Sequence, residues 1–105
     1  MELEINIIDA FTDSVFGGNQ AAVVVTESWL SEDIMQSIAV ENNLSETAFL
    51  VEVGANTYGI RWFSPITEIA FCGHATLASA FVLFNKFPEI ETFNFKAKAV
   101  GTLPV

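Results

Sequence analysis

Leu3-Glu4-Ile5-Asn6-Ile7-Ile8 alternates apolar and polar positions before ending in an apolar pair, the pattern of a strand with one buried face. Between Phe11 and Asn19 the chain turns to Thr12, Asp13, Ser14, Gly17, Gly18 and Asn19, a loop composition. Ala21 to Val25 is a short apolar run rich in valine, which predicts a buried strand able to pair with the first across that loop. Ser31 then stands as a helix N-cap, with Glu32 and Asp33 placed where acids complement the positive end of the helix dipole. Ile34, Ile38 and Glu41 follow at i, i+4 and i+7, with Met35 and Ala39 beside them, giving an apolar stripe that Asn42-Asn43 stops. Thr47–Val53 and Tyr58–Phe63 predict two strands joined by a hairpin at Gly54-Ala55-Asn56, and Ser64-Pro65 breaks the second of them. Gly73 to Phe84 predicts a second helix with so few polar positions that burial in the centre of a fold is expected. Thr92–Ala97 alternates again around Phe93 and Phe95, and Thr102–Val105 opens a further strand. These elements predict an α+β domain: a curved, mostly antiparallel sheet around a central apolar helix, with the other helix packed outside.

Composition narrows the class. With 105 residues, 51% of them hydrophobic and 16% charged, the chain suits one packed domain and is too apolar for a disordered one. A domain of this size has a thin stability margin, and ten phenylalanines favour an apolar face that a partner covers. Thirteen acids against four bases, a formal charge of −9, disfavour nucleic acid and anionic membrane as partners. An anionic small molecule stays compatible, because a local site can be positive; the cations are Arg61, Lys86, Lys96 and Lys98. One cysteine, Cys72, forms no internal disulfide and fits a reducing compartment. The Met-Glu-Leu-Glu start lacks a signal-peptide pattern, and no apolar stretch has membrane-spanning length, so a cytoplasmic protein is expected.

Candidate chemistry gathers in two segments. Asn43-Leu44-Ser45-Glu46-Thr47 bridges the first helix and the third strand. A half-buried carboxylate at the mouth of a strand suits general acid/base work. Locally, Glu46 also reads as one acid of thirteen that solvates or caps a loop. Phe71-Cys72-Gly73-His74-Ala75-Thr76 opens the apolar helix, whose first turn exposes unpaired N–H groups suited to a carboxylate or a developing enolate. Gly73 allows close approach of a ligand to the backbone. His74 either positions substrate and relays a proton or hydrogen-bonds locally. Cys72 is either a thiol activated by the helix terminus or a small buried apolar residue. The loop Phe16-Gly17-Gly18-Asn19-Gln20 lacks the spacing of a phosphate-binding glycine loop, so it reads as a turn, with the Asn19 amide available to a polar substrate. One His, one Cys and scattered acids give no metal-ligand spacing, so no metal is expected.

Six segments together resemble the PhzF-like family of phenazine biosynthesis: Asp9-Ala10-Phe11-Thr12, Phe16-Gly17-Gly18-Asn19, Met35-Gln36-Ser37-Ile38-Ala39, Asn43-Leu44-Ser45-Glu46-Thr47-Ala48-Phe49, Arg61-Trp62-Phe63-Ser64-Pro65 and Cys72-Gly73-His74-Ala75-Thr76-Leu77-Ala78. The resemblance covers nearly the whole chain and implies the diaminopimelate-epimerase-like fold. In that fold two similar halves each wrap a sheet around a central helix, and the active site lies in the cleft between them. It makes residues 1–105 a single domain equivalent to the N-terminal half. It implies cofactor-independent isomerase or epimerase chemistry on a small carboxylate-bearing substrate, with a proton moved between carbons. Glu46 is then the catalytic acid/base, while Asn19, Cys72, Gly73 and His74 serve the substrate pocket. Cys72 stands where related epimerases carry a thiol base. With the second half absent from the sequence, the helix terminus and much apolar surface are expected to face solvent. A second copy of the chain, as a homodimer, or a separate C-terminal half would complete the cleft. The alternative is a catalytically incomplete fragment or a self-associating ligand-binding module.

Overall fold

The computed structural model describes residues 4–10, 19–43, 46–98 and 101–105. Nine elements follow in order: β1 (Glu4–Ala10), β2 (Asn19–Thr26), α1 (Glu32–Asn42), β3 (Glu46–Gly54), β4 (Thr57–Phe63), β5 (Glu68–Ile69), α2 (Gly73–Lys86), β6 (Asn94–Ala97) and β7 (Gly101–Pro104). The strands form one mixed sheet in the order β1-β2-β3-β4-β6-β7, with β5 paired to β4. Hairpin neighbours pair antiparallel, whereas β2 with β3 and β4 with β6 are parallel and joined through α1 and α2.

That connectivity explains the layers. β3 and β4 run in opposite senses. Two crossovers of the usual hand, stepping the same way across strands of opposite sense, must lie on opposite faces of the sheet. The core divides accordingly. Ala21, Val23, Ala48, Leu50, Ile60, Trp62 and Phe95 pack with Ala75, Ala78, Val82 and Leu83 of α2. Val24, Phe49 and Phe63 pack instead with Met35 and Ala39 of α1. The period-two alternation of side chains sends successive residues of β2, β3 and β4 to these two cores.

Local chemistry sets the element ends. Ser31 Oγ accepts from the Ile34 amide at 3.2 Å and caps α1. Asn43 closes the helix in the left-handed region at φ 52°, its N–H donating to Ala39 O. The β3–β4 hairpin turns at Ala55-Asn56, and Asn56, at φ 51°, takes the positive-φ position. After β4, Ser64 Oγ accepts from the amides of Ile66 and Thr67, each at 3.1 Å, and turns the chain into β5.

One expectation needs correction. The buried side of α1 is Met35 and Ala39 with Ile38 beside them, while Ile34 is 48% exposed. The sheet reaches only one side of the helix, so i+4 spacing from Ser31's turn is not enough to bury a residue. α2 is open on one side, in line with the expectation for a chain without the second half: its sheet-facing residues are buried, yet His74 is exposed, Leu77 is 46% exposed and Phe81 is 51% exposed. An apolar sequence on all sides records what a helix tolerates, not what covers it. β5 is a two-residue strand, too short for periodicity to announce.

Candidate active site

Glu46 is the first residue of β3, and it pairs in register with Ala21 of β2. Ala48, two positions on, belongs to the α2 core, so the strand's alternation points Glu46 toward α2 as well. Its Oε2 is buried and has no hydrogen-bond partner among the described residues. Buried polar atoms are nearly always paired, so an orphaned carboxylate oxygen marks a place where something else is accommodated.

The first turn of α2 faces that carboxylate. Cys72 occupies the N-cap in an extended conformation (φ −143°, ψ 108°) and makes no capping hydrogen bond. Helix geometry leaves the amides of Gly73, His74 and Ala75 without acceptors one turn back. Burial pushes the Cys72 thiol up from its ordinary value. The Glu46 carboxylate raises it further, both through its charge and by accepting from the thiol, while the Ala75 and His74 amides pull the other way. Burial and the carboxylate win. The helix terminus therefore does not deliver a thiolate here, and Cys72 keeps its proton at neutral pH.

The turn is fixed from behind. Thr76 Oγ1 donates to Cys72 O at 2.8 Å and accepts from the Trp62 indole Nε1 at 3.1 Å. The Trp62 ring meets Phe71 edge-on, with centroids 5.5 Å apart. A Cβ added at Gly73 would sit 3.8 Å from the Phe71 ring, an ordinary contact, so the absence of a side chain there is a matter of access and not of internal crowding. At the base of β3, Asn42 Nδ2 lies 3.5 Å from Thr47 Oγ1 and links the end of α1 to the strand that carries Glu46.

Of the predicted site residues, Glu46, Cys72, Gly73 and His74 thus come together, from segments 26 positions apart in the case of Glu46 and Cys72. His74 is exposed at the open side of the helix. Asn19 begins β2, opposite Ala10, and its side chain, like the whole of Phe11–Gly18 and Leu44-Ser45, lies outside the described residues. Trp62 and Thr76 hold the turn by hydrogen bonds; both stood inside quoted motifs, but only the fold shows the indole N–H meeting Thr76. Among the described residues no three His, Cys, Asp or Glu side chains cluster as metal ligands. No helix among them is long and apolar enough to cross a membrane.

The family model of phenazine biosynthesis-like proteins (PhzC-PhzF) matches residues 8–105. The chain belongs to this family. An uncharacterized isomerase of Pseudomonas aeruginosa is 53% identical over 105 residues, which is 100% of this chain and 40% of that protein. The human phenazine biosynthesis-like domain-containing protein is 48% identical over 99 residues, 88% of this chain and 34% of its own length. Among solved structures, a PhzF-family protein of Enterococcus faecalis superposes with a TM-score of 0.88 at 54% identity, covering 100% of this chain and 40% of that one. A predicted epimerase of Pseudomonas aeruginosa shares the fold, with a TM-score of 0.83 at 23% identity. This PhzC-PhzF chain therefore spans well under half the length of the relatives it matches.

Proposed function

We propose that the chain carries the acid/base half of a cofactor-independent isomerase, in which Glu46 moves a proton between carbons of a small carboxylate-bearing substrate. The observation that carries this is the Glu46 carboxylate set against the first turn of α2 with Oε2 buried and unpaired. The free amides of that turn and its partial positive charge suit the substrate's carboxylate or the enolate that forms as the proton leaves. Gly73 opens the backbone to the ligand, and His74, on the solvent side of the turn, orients it. Glu46 takes the proton from one carbon and returns it at another, shifting a double bond. Cys72, held as a thiol, donates to the carboxylate and orients it. Family membership, and relatives described as isomerases, support the same chemistry.

Residues 1–105 make a single N-terminal unit in this scheme, and the opposite wall of the cleft comes from a C-terminal half or from a second copy. The test is deuterium incorporation, followed by proton NMR, into a panel of small carboxylates with acidic C–H bonds, in D2O. The expected result is exchange by the protein complemented with its second wall, falling about 10²–10⁴-fold in Glu46→Gln. Undiminished exchange by Glu46→Gln overturns the assignment. A second possibility, a self-associating module without catalysis, is favoured by the half-exposed Leu77 and Phe81 on the open side of α2. A monodisperse dimer by light scattering, with no exchange on any substrate, would decide for it.

A further inference from the structure

On the face of the sheet opposite Glu46, a groove of about 510 Å³ runs beside α1, lined by Trp29, Glu32, Val53, Gly59, Ile60, Arg61, Lys96 and Lys98. Three of the chain's four cations meet there, with Glu32 in the lining and Glu68 beside it, both bonded to Arg61, in a protein whose formal charge is −9. Random placement on so acidic a surface would disperse the cations among carboxylates, where each lowers the self-repulsion of the fold. Gathering them costs energy instead, and is the arrangement of a surface that meets an anion.

The parts have distinct roles. Arg61 is already engaged: it donates to both oxygens of Glu68 at 2.7 Å and to Glu32 at 2.8 Å. Its guanidinium lies 5.9 Å from the Trp29 ring and 5.6 Å from the Phe63 ring. Trp29 is seated against the sheet at Gly59, where a Cβ would stand 2.7 Å from its Cζ2. The ring nevertheless remains 41% exposed. Lys96 pairs in register with Gly59 on β6, Lys98 stands in the turn that follows β6, and both line the groove. Among the described residues neither lysine has a carboxylate within ion-pair distance.

We propose that this groove binds a small aromatic monophosphate of mononucleotide size, its ring on Trp29 and its phosphate between Lys96 and Lys98. Two ammonium groups, one on β6 and one in the turn after it, suit a dianion that each contacts as a point charge, whereas a lone carboxylate is best matched by the arginine fork, and that fork is taken by Glu68. The volume is within the range of small-ligand sites. The site is independent of the Glu46 chemistry, because it lies on the other face of the sheet.

Equilibrium dialysis with AMP at low salt tests it, with inorganic phosphate and adenosine measured alongside. The expected result is saturable one-to-one binding of AMP, weaker binding of phosphate and of adenosine alone, and at least a tenfold loss in K96Q/K98Q. Trp29→Ala should weaken AMP without changing inorganic phosphate. Lys86→Gln, which removes a positive charge elsewhere, should leave binding unchanged. The proposal is overturned if AMP does not saturate at millimolar concentration, if Lys86→Gln weakens binding as much as Lys96→Gln, or if Trp29→Ala binds AMP as the parent does.

Discussion

Glu46 is one acid among thirteen, and its sequence neighbours do not set it apart from Glu41 or Glu52. Its position at the start of a strand could be inferred from Thr47–Val53, but its neighbour across space could not. Cys72 stands 26 residues on, at the far side of a hairpin and a turn, and only parallel pairing of β2 with β3 beneath α2 brings the two together. Local inference left Cys72 open between an activated thiol and a small buried residue. A helix N-terminus does pull a thiol downward, through the His74 and Ala75 amides here, yet burial and the facing carboxylate outweigh it. This has a direct consequence. Glu46→Gln removes the negative charge and leaves only a weaker amide acceptor, so the Cys72 thiol should titrate at lower pH than in the parent. Iodoacetamide labelling followed by mass spectrometry across pH 7–10 reads this as a rate profile displaced toward neutrality. An unmoved profile would separate the two side chains.

At the scale of elements, the caps were the most legible features. Ser31 followed by two acids, and Asn42-Asn43 after the last apolar position, marked the ends of α1 because capping is a contact within four residues, which sequence order alone supplies. Ser31→Ala removes the oxygen that accepts from the Ile34 amide and should lower stability by about 1 kcal/mol in denaturant unfolding. Ser31→Asp should restore it. The faces of the helices were harder. Ile34 fits the apolar stripe by spacing, but the sheet beneath α1 reaches Met35, Ile38 and Ala39 and leaves Ile34 half exposed. Likewise Leu77 and Phe81 make α2 look central, although among the described residues the sheet covers only the side bearing Ala75, Ala78, Val82 and Leu83.

For the molecule as a whole, Arg61 is the point where α1, β4 and β5 are tied together, through Glu32 and Glu68. The hydrogen bonds from Arg61 hold the Glu68 carboxyl below its ordinary value of 4.5. A carboxylate with a depressed value in the fold contributes stability that is present above its unfolded value and lost as pH falls through the folded one. Glu68→Gln should therefore be less stable than the parent at pH 7, by about 1 kcal/mol or less because the pair is partly solvated. The difference should shrink as pH falls below 4.5 and through the depressed folded value. Urea unfolding at pH 7 and at successively lower pH measures it, and a difference that does not change with pH would assign the effect to packing.

The sequence by itself determined the α+β class, the order of the main strands and helices, the ends of α1 and the family, because each rests on periodicity, capping or motifs carried by neighbouring residues. The tertiary structure alone decided that the two crossovers lie on opposite faces, that Glu46 meets the first turn of α2, that Trp62 braces that turn through Thr76, and that three cations share a groove on the far side. The division has one physical cause. A strand's alternation names two faces without saying which is which, and only the direction of its neighbours across the sheet assigns each face a helix to pack against.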